Sequence, residues 1–250
     1  MNQQNTPLRV GILFSKTGVT SGIESSQLRG TLLAIEEIND DGCIDGREVF
    51  PVYYDPASTP STYKTLAEKL LVEDGVRVIL GCYMSSERKA VLPVVERLNG
   101  LLFYPTLYEG FEYSRNIIYT GAAPNQNSVQ LAEHMMREYG SRVYMVGSDY
   151  IYPYESNRIM SDLLLERGGE KLGERYVNLS SDPSSFIDVV NDIKAKRPDF
   201  IFSTVVGQST AAFYRAYADV GLDPARMPIA SLTTSETELQ EMESGIATGH

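Results

Sequence analysis

The chain contains few of the residues that do chemistry: two cysteines, Cys43 and Cys82, and two histidines, His134 and His250, in 250 residues. The cysteine pair resembles no metal or redox spacing, and two free thiols in a reducing compartment are a simpler expectation than one disulfide. Neither histidine lies beside a second ligand or an acidic motif, so no zinc site is expected, and His134 reads as an exposed residue of a predicted helix. No apolar run approaches the roughly 18 residues that a membrane span needs. Residues 1–9 are polar and lead directly into Val10-Gly11-Ile12-Leu13-Phe14, with no basic leader and no separate apolar stretch before a cleavage site. As written, the sequence is expected to be cytoplasmic.

Positive charge is also short. Against 33 Asp and Glu there are 22 Lys and Arg, a formal net charge of -11, so the average field repels phosphate backbones and anionic membrane surfaces. Direct nucleic-acid binding and membrane insertion are not expected. Catalytic signatures are missing as well: no Gly-x-Ser-x-Gly elbow, no phosphate-cradling Gly-x-x-x-x-Gly-Lys-Ser/Thr, and no Gly-x-Gly-x-x-Gly after the first predicted strand. Asp149 and Glu109 could form an acid–base pair, but a solvated loop aspartate and a structural glutamate are the plainer alternatives. No catalytic residue, metal or cofactor is assigned, and an enzyme is not expected.

What is present is an ordinary globular composition, 42% hydrophobic and 22% charged, in a length that permits two modest domains. Apolar runs over 8–14, 49–54, 76–80, 101–104 and 117–119 predict strands. Between them, segments such as the one carrying Leu28, Leu32, Ile35 and Ile38 repeat at helical spacing. Pro93 falls inside the predicted helix 85–98 and is expected to kink it. A second series follows a loop-like stretch at 121–126. Helices are predicted near 127–139, 155–166, 185–194 and 209–220, and strands at 143–146, 174–178, 200–205 and 228–230. Strands alternating with helices imply an α/β fold with mostly parallel sheets, because a parallel connection needs a crossover. The division predicted is 1–121 for a first lobe and 122–250 for a second.

Ligands of open parallel sheets settle outside the carboxyl ends of the strands. There the sequence places Ser15 and Thr17, the run Cys82-Tyr83-Met84-Ser85, then Tyr104-Pro105-Thr106. In the second series come Asp149-Tyr150-Ile151-Tyr152, Val206-Gly207-Gln208 and Ser231-Leu232-Thr233-Thr234-Ser235. Phenols and hydroxyls dominate, a combination that encloses a small uncharged molecule and satisfies its carbonyl and amide hydrogens. A zwitterion would need both its charges neutralised, and no arginine is expected in position to hold a carboxylate, so the predicted ligand is neutral. Individually these residues could be turn and cap residues, Ser85 and Ser235 above all.

Longer runs carry a resemblance. Gly81-Cys82-Tyr83-Met84-Ser85, Arg88-Lys89-Ala90-Val91, Tyr108-Glu109-Gly110-Phe111-Glu112-Tyr113, Ala123-Pro124-Asn125-Gln126-Asn127-Ser128 and Gly147-Ser148-Asp149-Tyr150-Ile151-Tyr152-Pro153 are among them, as is Ala230-Ser231-Leu232-Thr233-Thr234-Ser235. From about Val10 to the end, the sequence resembles the amide-sensing negative regulators of bacterial aliphatic-amidase operons. These are cytoplasmic relatives of the leucine/isoleucine/valine-binding proteins, and the urea- and amide-binding components of ABC transporters are close cousins. The resemblance implies a two-lobed periplasmic-binding-protein type I fold whose interlobe cleft closes on a short aliphatic amide or urea. It implies ligand contacts at Ser85, Tyr104, Thr106 and Tyr83 from the first lobe, and at Tyr150, Tyr152, Val206 and Thr233 from the second. It also implies an RNA-binding antiterminator protein as partner. The alternative it carries is a periplasmic transporter component, reached after removal of a signal peptide. Members of that family run longer, so a chain truncated at its C-terminus is expected. Apolar faces left uncovered would favour a homo-oligomer.

Overall fold

The computed structural model describes residues 6–250, which fall into two compact units. The first comprises residues 6–107 and Phe111–Gly121, the second Tyr108–Gly110 and Ala122–His250.

In the first unit the strands are β1 (Leu8–Leu13), β2 (Val49–Tyr54), β3 (Val78–Gly81), β4 (Leu101–Tyr104) and β5 (Ile117–Tyr119). They form one parallel sheet in the order β2-β1-β3-β4-β5. The crossovers are α1 (Ser21–Asp40), α2 (Pro60–Val72) and α3 (Ser85–Arg97). Leu28 and Ile35 of α1 are buried with Ile12, Phe14 and Val49, as a 3.6-residue period requires, while Ile38, expected on the same face, is exposed. Helix α2 buries Tyr63, Ala67, Leu70 and Leu71 and packs beside α3. It lies close on the sheet, for a Cβ on Gly11 would stand 3.0 Å from Leu70 Cδ1. Helix α3 continues through Pro93 to Arg97.

The second unit has β6 (Arg142–Ser148), β7 (Glu170–Val177), β8 (Phe200–Thr204) and β9 (Ile229–Ser231), parallel throughout and ordered β7-β6-β8-β9. Its helices are α4 (Pro124–Glu138), α5 (Ile151–Glu166), α6 (Ile187–Lys196, after a 3-10 turn at Pro183–Phe186), α7 (Gln208–Asp219) and the short α8 (Glu236–Glu241). Alternation along the strands divides the core. Val143 and Met145 of β6 and Phe200 and Phe202 of β8 pack with Ala132, Met160 and Leu164 of α4 and α5. Tyr144, Val146 and Ile201 pack on the opposite face with Val190, Ile193, Phe213 and Tyr217. A strand covered on both faces reads as a continuous apolar run, and burying each Phe or Ile side chain stabilises the fold by about 2 kcal/mol.

The fold is the expected α/β arrangement of two helix-flanked parallel sheets, and 250 residues are few for the type I fold. Two local expectations change. Helix α5 begins at Ile151, so Tyr152, read as a loop residue, lies in its first turn, and α8 was not foreseen. Among the described residues no helix is long and apolar enough to cross a membrane.

Two strands of the first sheet approach each other closely at the end of β3. Gly81 has φ +154, and a Cβ there would stand 2.2 Å from the Leu13 carbonyl oxygen. Gly81→Ala should cost roughly 2–4 kcal/mol in denaturant melts. Gly75→Ala, at φ +68 but with no atom within 4 Å of the new Cβ, should cost only about 1 kcal/mol. Equal losses would show that the contact with β1 does not matter.

Candidate ligand-binding site

The carboxyl ends of β3 and β4 bring the four first-unit candidates together. Directly after Gly81, Cys82 takes φ +67, a conformation that costs a non-glycine residue about 1 kcal/mol and collects at functional sites. Its N–H donates to Leu13 O at 2.9 Å, so the chain turns without losing the ladder to β1. The Tyr104 hydroxyl donates to the Tyr83 carbonyl at 2.7 Å, and Thr106 Oγ1 lies 3.4 Å from the Cys82 carbonyl it faces. Gln27 Nε2 reaches the same Thr106 hydroxyl at 3.4 Å. Tyr83, Ser85, Tyr104 and Thr106 are all buried.

Ser85 is not the cap of α3. Met84 occupies the N-cap position and Ser85 opens the helix, its Oγ accepting from Arg88 Nη1 at 3.2 Å. No arginine was expected in position to hold a carboxylate, and Arg88 does hold one, that of Glu112. Residues three apart share a helix face, and Arg88 uses that spacing to put a fully buried guanidinium against Ser85 and 4.7 Å from the centre of the Tyr104 ring. Its Nε donates to Glu112 Oε1 at 2.7 Å. Glu112 also accepts from Lys89 at 2.7 Å and from the Tyr119 hydroxyl at 2.8 Å. Partial burial opposes ionisation of Glu112, but the hydrogen bonds from Arg88 and Lys89 prevail and hold its carboxyl down at about 2. A buried positive charge thus sits at the site with a carboxylate already bonded to it.

Beneath this cluster two more carboxyls are buried. Glu87 Oε2 accepts the N–H groups of Tyr83 at 2.9 Å and Met84 at 2.8 Å. Glu24 accepts from Ser15 N at 2.8 Å, from the Thr20 hydroxyl at 2.5 Å and from the Tyr63 hydroxyl. Ser15, read as a strand-end donor for the ligand, is instead internal, its Oγ 2.8 Å from the Tyr63 oxygen. Thr17 is tied to Asp55 at 2.9 Å.

In the second unit the candidates lie at the ends of β6, β8 and β9. Tyr150 is the N-cap residue of α5, and its ring centre is 6.4 Å from that of Tyr152. Tyr152 is buried, and desolvation pushes its phenol pKa up. Val206 N donates to Ser148 Oγ at 3.2 Å, and Thr233 Oγ1 donates to the Val205 carbonyl at 3.2 Å, so three neighbouring strand ends are laced together. Ser235 is the ordinary cap that it was weighed as, bonded to Glu238 in the first turn of α8. Asp149 is exposed and accepts from Tyr154 at 2.9 Å, the plainer of its two expected roles. Among the described residues no group of three or more His, Cys, Asp or Glu could hold a metal ion.

Two helix-flanked parallel sheets whose strand ends carry hydroxyl-rich loops are the arrangement of the periplasmic-binding-protein type I fold. The chain belongs to the family described as the periplasmic binding protein domain, which matches residues 8–250. Leu/Ile/Val-binding protein homolog 6 of Brucella melitensis is 25% identical over 175 residues, covering 68% of this chain and 44% of that protein. A Rhodopseudomonas palustris HaA2 ABC-transporter solute-binding protein in complex with p-hydroxybenzoic acid superposes with a TM-score of 0.84 at 22% identity, over 98% of this chain and 66% of that one. The Streptococcus pneumoniae branched-chain amino acid transporter substrate-binding protein LivJ, in complex with isoleucine, gives 0.83 at 16% identity, over 97% and 68%. The chain therefore spans less than half the length of that Brucella relative.

The Arg88–Glu112 pair makes a pH-dependent contribution to stability. A carboxyl held at about 2, below its ordinary 4.5, contributes in full above 4.5 and loses that contribution as the pH falls towards 2. Urea melts should show Glu112→Gln less stable than the parent at neutral pH, with the gap closing in acid. A gap that stays constant with pH would mean the pair is not ionic.

Proposed function

We propose that this chain is the ligand-binding part of a solute receptor of the ABC-importer kind, and that its solute is a short neutral amide or urea. The observation that carries the reading is the neutralised arginine. Arg88 lies against Ser85, and Glu112 holds its charge at 2.7 Å, so a ligand carboxylate would have to compete with a carboxylate already in place. An uncharged amide needs no such exchange. Its carbonyl accepts from hydroxyls, its N–H groups donate to hydroxyls and carbonyls, and its short chain lies against tyrosine rings. This reading gives Ser85, Tyr83, Tyr104 and Thr106 the principal contacts, and the second unit's Tyr150, Tyr152, Val206 and Thr233 the remaining ones. A receptor of this kind works in the periplasm, delivering solute to a membrane permease.

The importer reading is supported by relatives named as binding proteins and by solved neighbours named as transporter components. The ligands in those two complexes, isoleucine and p-hydroxybenzoic acid, carry a carboxylate, which makes the charge of this ligand the property to test. The second reading is a cytoplasmic amide sensor that sequesters an RNA-binding antiterminator until an inducing amide shifts its conformational balance. The strand-end motifs around Ser85, Tyr104 and Tyr150 favour it. An amide could act only through a difference in affinity between two states.

Calorimetry of the purified protein with urea, acetamide, butyramide, leucine and p-hydroxybenzoate separates the ligand classes. Urea or one of the amides should bind, with both carboxylates at least ~100-fold weaker because a buried charge lacks a counter-charge. Thr106→Val should weaken the amide roughly fivefold through one lost hydrogen bond. Tighter binding of leucine or p-hydroxybenzoate than of every neutral compound would overturn the reading.

A further inference from the structure

We infer that Glu87 is a positioning residue of the site and stays un-ionised at neutral pH, carrying its proton on Oε1 beneath the loop that presents Tyr83 and Ser85. The inference rests on the reading that this loop holds the solute.

The argument starts from the oxygens. Glu24 and Glu87 are both fully buried. Glu24 uses both of its oxygens as acceptors, one for the Thr20 hydroxyl and the other for Ser15 N and the Tyr63 hydroxyl. Glu87 Oε2 accepts two backbone N–H groups, while Glu87 Oε1 is buried and receives no hydrogen bond. An ionised carboxylate leaves such an oxygen only at the cost of an uncompensated buried charge. A carboxylic acid has one oxygen that bears the hydrogen and one that accepts. Of the four oxygens, Oε1 of Glu87 is the one that no donor reaches, which leaves it free to bear the hydrogen.

The neighbouring groups favour the same state. Facing Glu87 are Glu24 from α1, Tyr63 from α2 and the buried Cys82 at the end of β3, with Arg88 next along α3 turned towards Ser85 and Glu112. Burial first, then the proximity of Glu24, raises the Glu87 pKa well above its ordinary value; burial raises that of Glu24. Two like charges in one desolvated site cannot both form at ordinary pH. The hydroxyl of Tyr63 and the thiol of Cys82, both pushed up by burial, stay protonated and add no charge.

The consequence for binding follows from the two hydrogen bonds that Glu87 accepts. Tyr83 and Met84 immediately precede Ser85, and the Tyr83 carbonyl holds the Tyr104 hydroxyl at 2.7 Å. When alkali removes the Glu87 proton, repulsion from Glu24 is relieved by moving this loop, which on the proposed reading carries the ligand contacts.

Two measurements test this. The infrared carbonyl band of an un-ionised carboxylic acid should be present in the parent protein at about pH 7 and absent in Glu87→Gln. Its absence from the parent would overturn the inference whether or not any amide binds. Second, with whichever of urea, acetamide or butyramide binds in calorimetry, parent affinity should fall roughly tenfold or more from about pH 7 to about pH 10. Glu87→Gln should flatten that profile, and Glu87→Ala should weaken binding at every pH. A parent profile that is flat, or identical to that of Glu87→Gln, would also overturn it. If none of the three compounds binds, the amide reading fails and the infrared band alone decides on the proton.

Discussion

Between Leu13 and Gly81 two parallel strands end so close together that a side chain on Gly81 would meet the Leu13 carbonyl oxygen at 2.2 Å. The chain leaves that contact through Cys82 in a left-handed conformation while keeping the N–H bond to Leu13, and α3 starts three residues later. Nothing in segment 82–84 is free to slide, because the Tyr83 and Met84 amides end on Glu87 and the Tyr83 carbonyl ends on Tyr104. The position of Ser85 is thus inherited from a backbone contact, with side-chain preference playing little part. Sites that bind small molecules need this kind of support, since a ligand of few atoms has little binding energy to spend on ordering loops.

Much of this was legible in advance, for identifiable reasons. Short apolar runs bounded by turn residues mark strands whether they lie inside a sheet, as Leu101–Tyr104 does, or at its edge, as Val49–Tyr54 does, and the order of elements dictated parallel crossovers. The start of α5 was missed because Tyr150, Tyr152 and Pro153 look like loop chemistry, whereas proline is well tolerated in a first helical turn. That Ser85, Tyr104 and Thr106 stand at the carboxyl ends of β3 and β4 was legible from the order of elements. What escaped was the charge next to it. Arg88 stands within a motif of the sequence, but its burial depends on Glu112, twenty-four residues away, a pairing that no local pattern announces. The spacing of Ser85 and Arg88 along one helix was the available signal. Glu87 was hidden in the same way: a glutamate at the third helical position suggests a capping box, but the N-cap here is methionine, which lacks the usual hydroxyl.

The two pairs below and beside the loop illustrate how one protein interior treats charge in opposite ways. Glu112, half-buried and bonded to two cations and a phenol, is driven towards ionisation. Glu87 and Glu24, wholly buried with only neutral donors hydrogen-bonded to them, are driven away from it. Glu112 thereby offsets charge beside the strand ends of the first unit, whereas burial works against adding charge at Glu87 and Glu24.

The burial of Cys82 has a consequence for how the protein meets oxidants. Only a thiolate attacks peroxide or exchanges with glutathione, and Cys82 is held as the protonated thiol chiefly by its own desolvation. Cys43 is half-buried. The thiol at the end of β3 is therefore suited to neither peroxide attack nor glutathione exchange, and its presence does not discriminate between a receptor that serves outside the inner membrane and a regulator that serves within it.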